Sequence, residues 1–350
     1  MRIRNKPVYS FDDVLLVPQY SKVISRQDVK LSTELGKMTL RLPLLSSNMD
    51  TVTEDRMAIA MGRHGGAGIL HRFADHTDVQ RWLDACRDAG VPRIASYGLS
   101  ERDFSLAAYG GKNGAFDAIC LDVAHGDHIA VIKMIQRIRK ECPDLDIIAG
   151  NVATGHAACR LAEAGANIIK VGIGPGSVCS TRVVTGHGFP QLSAISETDL
   201  ELRLAGRRGG DRRVAIIADG GIRYPGDIVK ALAAGADAVM LGSLLAGTDE
   251  AAGDRIVEDG IAYKTFRGMA SRDAQKQKRT GRTPRVEGVS ARVPYRGPVG
   301  DTLHNLEAGI RSGLSYSGAT NLTELRNAAE FVVVTGNTLK ENHPHHPYRL

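Results

Sequence analysis

The 350-residue chain reads as an α/β protein, and within that class as a (β/α)8 barrel, the TIM-barrel architecture. Eight short β-branched or aliphatic runs recur along it, helical patterns lie between most of them, and the runs are continuously apolar. Strands buried on both faces of a parallel sheet have that continuous character, whereas half-exposed antiparallel strands alternate. A doubly wound sheet is the competing arrangement for any βαβα series. The count of eight, and the lack of a Gly-x-Gly-x-x-Gly turn at the first run, weigh against it.

The expected strands are Leu42–Ser47, Ala67–Leu70, Arg93–Ser96, Ala118–Asp122, Asp146–Gly150, Ile168–Gly172, Val214–Asp219 and Ala238–Gly242. Asp127–Lys140, Ala157–Ala164 and Asp227–Ala234 place apolar side chains at helical spacing. Two of these helices end at Ala-Gly-Ala, a glycine stop followed by the next strand. The chain is therefore expected to be one barrel domain over residues 1–350. The segment 267–297 is rich in Arg, Lys, Gln, Gly and Ser without aliphatic periodicity, as suits a mobile active-site flap. Residues 338–350 form a histidine-rich tail without core character.

Composition narrows the function classes. An apolar fraction of 43% and a charged fraction of 24% suit a globular protein. No run is apolar and long enough to span a bilayer, and the N-terminus has no secretory pattern, so no membrane partner is expected. The five cysteines (Cys86, Cys120, Cys142, Cys159, Cys179) are odd in number and include no Cys-x-x-Cys pair. That argues against a disulfide framework or zinc cluster and for a cytoplasmic setting. The net charge of +6 suggests an anionic partner. Nucleic acid would call for aromatic platforms or a recognisable module, which the sequence lacks, so a phosphorylated metabolite is the better match.

In a barrel of this kind the active site forms at the carboxyl ends of the strands. Those ends carry Asn48-Met49-Asp50, His71-Arg72, Asp122, Asn151, Gly172–Cys179, Asp219-Gly220-Gly221 and Gly242-Ser243. Each alone is ordinary turn chemistry; their concentration at one end points to a site. The loops after strands seven and eight are where barrels frequently bind phosphate on backbone N–H groups. Gly221, Gly242 and Ser243 would do so here, with Asp219 accepting from ribose hydroxyls. Cys179 is delivered by a glycine loop and would face the base. A thiolate there can add to an electrophilic ring carbon, and Arg182 could lower its pKa. The alternative is a small buried cysteine in a glycine-rich turn. Carbonyls around Gly174 and Gly176 could also hold a hard monovalent cation.

Six motifs occur in order: Phe11-Asp12-Asp13-Val14-Leu15-Leu16, Asn48-Met49-Asp50-Thr51-Val52, Ala149-Gly150-Asn151-Val152, Gly174-Pro175-Gly176-Ser177-Val178-Cys179, Asp219-Gly220-Gly221-Ile222 and Arg267-Gly268-Met269. With them the chain resembles the IMP dehydrogenase/GMP reductase family over essentially its full length. The resemblance implies a purine nucleotide monophosphate substrate (GMP or IMP), a nicotinamide cofactor, a bond from Cys179 to purine C2, and a homotetramer. It implies catalytic roles for Cys179, Thr181 and Glu287. Substrate contacts would come from Asp219, Gly220, Gly221, Gly242, Ser243, Gly268, Met269, Ala270 and Arg285. Cofactor contacts would come from Ser25, Arg26, Arg72, Asp122, Val123, Ala124, Asn151, Met269 and Arg285. A potassium ion would lie at Gly174, Gly176, Cys179 and Arg182. No CBS regulatory domain is expected.

The family performs two reactions on one scaffold. Its dehydrogenases characteristically carry a flap with an Arg-Tyr pair that activates water, and Arg272–Arg292 contains no tyrosine. Thr181 and Glu287 resemble the reductase's proton-transfer pair, and Arg72 and Ser25-Arg26 resemble its NADP contacts. The expectation is therefore GMP reductase, an NADPH-dependent deamination of GMP to IMP. Residues 217–224, 242–248 and Glu341-Asn342-His343 look instead like dehydrogenase. Oxidation of IMP to XMP with NAD is the alternative, together with a reductase of a modified purine nucleotide.

Overall fold

In the computed structural model, which describes residues 3–210, 213–271 and 287–342, eight parallel strands close into a barrel. They are β1 (Leu44–Ser46), β2 (Ala67–Leu70), β3 (Ile94–Tyr97), β4 (Ala118–Asp122), β5 (Asp146–Val152), β6 (Ile168–Val171), β7 (Ala215–Asp219) and β8 (Ala238–Leu241). The helices that follow them are α1 (Asp55–Arg63), α2 (His76–Asp88), α3 (Glu101–Lys112), α4 (Ile129–Glu141), α5 (Gly155–Ala164), α6 (Gln191–Leu204), α7 (Pro225–Ala233) and α8 (Val299–Tyr316). Closure runs through Val239↔Leu44, Met240↔Leu45 and Leu241↔Ser46. All eight expected strands are present, two of them (Ala67–Leu70 and Ala118–Asp122) with the expected bounds and the others with ends shifted by one or two residues. β5 is extended to Val152 past a register slip against β6.

The continuous apolar runs have two destinations. Leu45, Ile69, Cys120, Ile148, Ile168, Ile217 and Met240 turn into the barrel, while Ile119, Ile147, Ile169, Ile216 and Val239 pack outward against the helices. A hairpin, Thr33–Leu35 with Met38–Leu40, supplies Leu35 and Leu40 to the inner cluster. It sits at the amino ends of the strands, where the Lys37 N–H donates to Asp146 Oδ2 at 2.6 Å. The lower end is thereby filled with hydrocarbon.

Two additions lie outside the repeat. Val14–Leu16 pairs antiparallel with Phe331–Val333, joining the two ends of the described chain. Between β8 and α8, Arg255–Glu258, Ile261–Arg267 and Ser290–Pro294 form a three-stranded antiparallel sheet. The segment expected as a flap thus leaves and returns as paired strands. A backbone ladder exposed to solvent needs no aliphatic period, which is why the composition of 267–297 hid it. The middle of that segment, 272–286, lies outside the described residues, as do residues 343–350 beyond the short helix Thr338–Glu341.

Immediately before β8, Asp237 is fully buried with three arginines on its carboxylate. Arg208 donates at 2.6 Å, Arg213 at 2.5 Å and Arg326 at 2.9 Å, and the Ile216 N–H adds a fourth bond at 2.8 Å. Burial opposes ionisation, but Arg208, Arg326 and Arg213 outweigh it and hold the carboxyl below its ordinary value of 3.8. A depressed carboxyl stabilises the fold fully above its unfolded pKa, and that stability is lost as pH falls through the lower folded pKa. Asp237→Asn should therefore cost about 3–5 kcal/mol near pH 7, because it leaves buried guanidinium charge uncompensated. Denaturant unfolding should show the gap between variant and parent shrinking below about pH 4. An equal gap at both pH values would contradict the assignment.

Candidate active site

The carboxyl ends of the strands open into a cavity of about 910 Å³, within the range of small-molecule sites. Asn48, Arg72, Asp122, Asn151, Gly172–Cys179, Asp219–Gly221 and Gly242–Ser243 all line it, so the expected clustering is present. After β6 the chain turns at Gly172 with φ of 146°, where a Cβ would stand 2.1 Å from the Asp219 carbonyl oxygen. Only glycine permits that crossing. The loop then delivers Cys179 with an exposed side chain.

The thiol donates to Thr181 Oγ1 at 3.1 Å, and the Thr181 hydroxyl donates to Glu287 Oε2, also at 3.1 Å. Glu287 is 106 residues beyond Thr181 and arrives by strand pairing. Cys179 and Gly288 form an antiparallel bridge, with Ser180 N–H on the Glu287 carbonyl at 3.0 Å and Val289 N–H on the Val178 carbonyl at 3.1 Å. Gly268 and Gly288 face each other there. A Cβ on Gly268 would meet the Gly288 Cα at 3.1 Å, so a side chain at either position would have to push the facing backbone aside by a few tenths of an ångström. Gly268, Met269 and Ala270 line the cavity beside this bridge. Asp50 binds Arg267 at 2.6 Å, fastening the flap base to the loop after β1.

Asp219 ends β7 inside the cavity. Its Oδ2 accepts from Lys170 Nζ at 2.7 Å and from Asn151 Nδ2 at 2.8 Å. Burial opposes the Lys170 ammonium, but the Asp219 carboxylate prevails and holds its pKa above the ordinary lysine value. Gly220 and Gly221, at φ of 91° and 81°, follow directly. Gly242 precedes the short helix Ser243–Ala246 on the adjacent strand. On the other side, Arg72 Nε donates to Asp122 Oδ2 at 3.0 Å, and its guanidinium lies 4.7 Å from the Phe73 ring centroid. Val123 and Ala124 line the same arm.

Several expectations change. Arg182 gives its guanidinium to the Phe189 carbonyl at 2.7 Å, and the thiol's partner is Thr181 instead. Asn151, expected at the cofactor, lines the cavity and donates from its amide nitrogen to the Gly172 carbonyl and to Asp219. Ser25 and Arg26 do not line the cavity. They start a short turn, Arg26–Asp28, that packs against α8. Arg285 lies outside the described residues. For a cation, the Gly176 and Arg182 carbonyls each accept one turn hydrogen bond and keep a second lone pair, and such oxygens suit hard ions.

Sequence reasoning missed Lys170, which reads as one more strand residue. It also missed Ser47 and Gln191, while placing Asn48 only at a strand end. Ser47 Oγ, Asn48 Nδ2 and Gln191 Oε1 are buried beside the cavity without a hydrogen-bond partner among the described residues. Polar atoms left that way are uncommon unless a ligand or water meets them.

Comparison with known proteins agrees with this geometry. The model of the IMP dehydrogenase / GMP reductase domain matches residues 8–345. The inosine-5'-monophosphate dehydrogenase of Halalkalibacterium halodurans is 34% identical over 96% of this chain and 95% of its own. That of Borreliella burgdorferi is 35% identical over 99% and 98%, and that of Cryptosporidium parvum 37% over 96% and 94%. The first alignment spans 471 positions against a chain of 350 residues, so that relative carries residues with no counterpart here. Among the described residues no CBS domain is inserted into the barrel.

Of the five thiols, Cys179 is exposed, Cys159 is intermediate, and Cys86, Cys120 and Cys142 are buried. Burial pushes the Cys86 thiol to about 11 and the Cys120 thiol to about 12. Brief iodoacetamide treatment of the folded protein should therefore modify Cys179 first, as read by peptide mass mapping. Earlier labelling of Cys159 would contradict the exposed placement of the loop.

Proposed function

The chain belongs to the IMP dehydrogenase / GMP reductase family and is an oxidoreductase, and from that premise we propose that it oxidises IMP to XMP with NAD. The observation that carries the chemistry is the continuous path from the Cys179 thiol through Thr181 to Glu287 at the cavity wall. The names of the relatives favour IMP as the nucleotide. They shift the balance away from GMP reduction, which the tyrosine-free flap favours.

In this reading the 5'-phosphate lies on backbone N–H groups around Gly220–Gly221 and Gly242–Ser243, and the ribose lies on Asp219. Gly268, Met269 and Ala270 border the base. The thiol passes its proton through Thr181 to Glu287 and on to solvent, and the thiolate adds to purine C2. A bound nicotinamide dinucleotide supplies the acceptor for the hydride that C2 gives up. Arg72, Phe73, Asp122, Val123 and Ala124 fit such a group, since together they offer a cation, an aromatic face and an apolar wall. Water then adds to C2 of the thioimidate on Cys179. Glu287 and Thr181 take a proton from that water and return it to the departing thiolate. A potassium ion on the cysteine-loop carbonyls, a homotetramer and a cytoplasmic location complete the proposal.

A second reading, reductive deamination of GMP with NADPH, is favoured by the absence of tyrosine from Arg272–Arg292. There Glu287, through Thr181, would protonate the amine as it leaves C2 as ammonia.

Purified protein should reduce NAD with IMP, followed by absorbance of the reduced cofactor, and leave NADPH untouched with GMP. NADPH loss and ammonia release with GMP, without NAD reduction on IMP, would install the second reading. Cys179→Ala should abolish turnover while nucleotide binding persists. Glu287→Gln should lower kcat by about 10²–10⁴ with little change in KM. Equal losses in both parameters would reduce Glu287 to a binding residue.

A further inference from the structure

Lys170 lies one residue before the end of β6 with its side chain turned into the barrel, where only 6% of it is exposed. It lies against Asp219, among inward residues that are otherwise largely apolar. An apolar residue would fill that position without the cost of desolvating an ammonium. What Lys170 does there is visible in the bonds to Asp219. Lys170 Nζ and Asn151 Nδ2 converge on one oxygen, Oδ2, at 2.7 and 2.8 Å. Gln191 Nε2 holds the Asp219 carbonyl at 3.2 Å, so the backbone is pinned as well. The second carboxylate oxygen, Oδ1, accepts no hydrogen bond among the described residues, and Asp219 lines the cavity between Cys179 and the paired glycine turns.

We propose that Lys170 is a positioning residue that orients Asp219 so that Oδ1 reads the sugar hydroxyls, and thereby sets the preference for ribonucleotides over 2'-deoxyribonucleotides. The inference rests on the reading of the ligand as a purine nucleoside 5'-monophosphate. A charged acceptor held in one orientation gains most from a hydroxyl placed on its free lone pairs. Released from Lys170, the carboxylate can rotate about its terminal torsion, which is broad for Asp. Both sugars then meet a less defined acceptor, and the advantage of the 2'-hydroxyl shrinks.

The test is calorimetric binding of IMP and 2'-deoxy-IMP to the full chain without cofactor. The parent is expected to bind IMP about tenfold or more tightly than the deoxy form, the span of a charge-assisted hydrogen bond. In Lys170→Met that ratio should fall to within about threefold, with circular dichroism confirming the fold. A merely structural role would weaken both nucleotides alike and leave the ratio unchanged, which would overturn the inference. Lys170→Gln, which retains a donor, should give an intermediate ratio and serves if the Met variant does not fold. A parent that binds both sugars equally overturns the inference alone. A parent that binds neither IMP nor GMP overturns the proposed function and the inference with it.

Discussion

Two backbone hydrogen bonds, from Val289 to Val178 and from Ser180 to Glu287, bring the parts of the candidate site together. The thiol comes from a glycine loop after β6, and the carboxylate comes from a segment that the barrel repeat does not include. Only where those segments pair does Glu287 reach Thr181. The pairing has its own supports. The strand Ile261–Arg267 carries the chain outward, Ser290–Pro294 brings it back in register, and Arg267 fastens the base to Asp50. Gly268 and Gly288 allow the backbones to close on each other. A proton path of two hydrogen bonds thus depends on a sheet, an ion pair and two missing side chains.

The interior of the barrel changes character along its axis. At the amino ends Leu35 and Leu40 join the aliphatic cluster, and nothing polar is needed to fill the space. At the carboxyl ends the inward positions become Lys170, Asp219 and Asp122, with Arg72 reaching over from the loop after β2. Charge at that depth is stable only when paired, and each of these groups has its partner. The polarity gradient fixes which end receives a ligand. Hydrocarbon closes one mouth, and fixed dipoles and charges line the other.

How much of this was legible in the sequence follows from the range of the interactions. The eight strands were legible because each is a local run of apolar residues whose burial on two faces leaves a continuous signature. The cavity lining was legible because the barrel places every strand end at one rim. The hairpin Thr33–Leu40 was not, since its role lies in plugging strands far along the chain. Nor was the sheet around the flap, whose strands are polar and held by backbone bonds. Arg182 illustrates the limit for charges: proximity in sequence suggested the thiol, but its guanidinium found the Phe189 carbonyl. Glu287 became a candidate only through resemblance, because an isolated acid in a polar loop carries no local sign of its partner. The direction of the reaction is less legible still, since the same thiol, hydroxyl and carboxylate serve oxidation and deamination alike.

The buried Asp237 cluster has a bearing on how such a chain can vary. Positions 208, 213, 237 and 326 come from three different parts of the sequence, yet three guanidinium groups converge on the one buried carboxylate of Asp237. Replacing one member strands the charge of the others, so single steps away from the set are penalised whichever residue moves first. The four positions should therefore be inherited as a block, changing together or hardly at all, while exposed charges of the same type drift freely. Among homologous chains, joint substitution at these positions would mark the lineages in which the lower end of the barrel has been rebuilt.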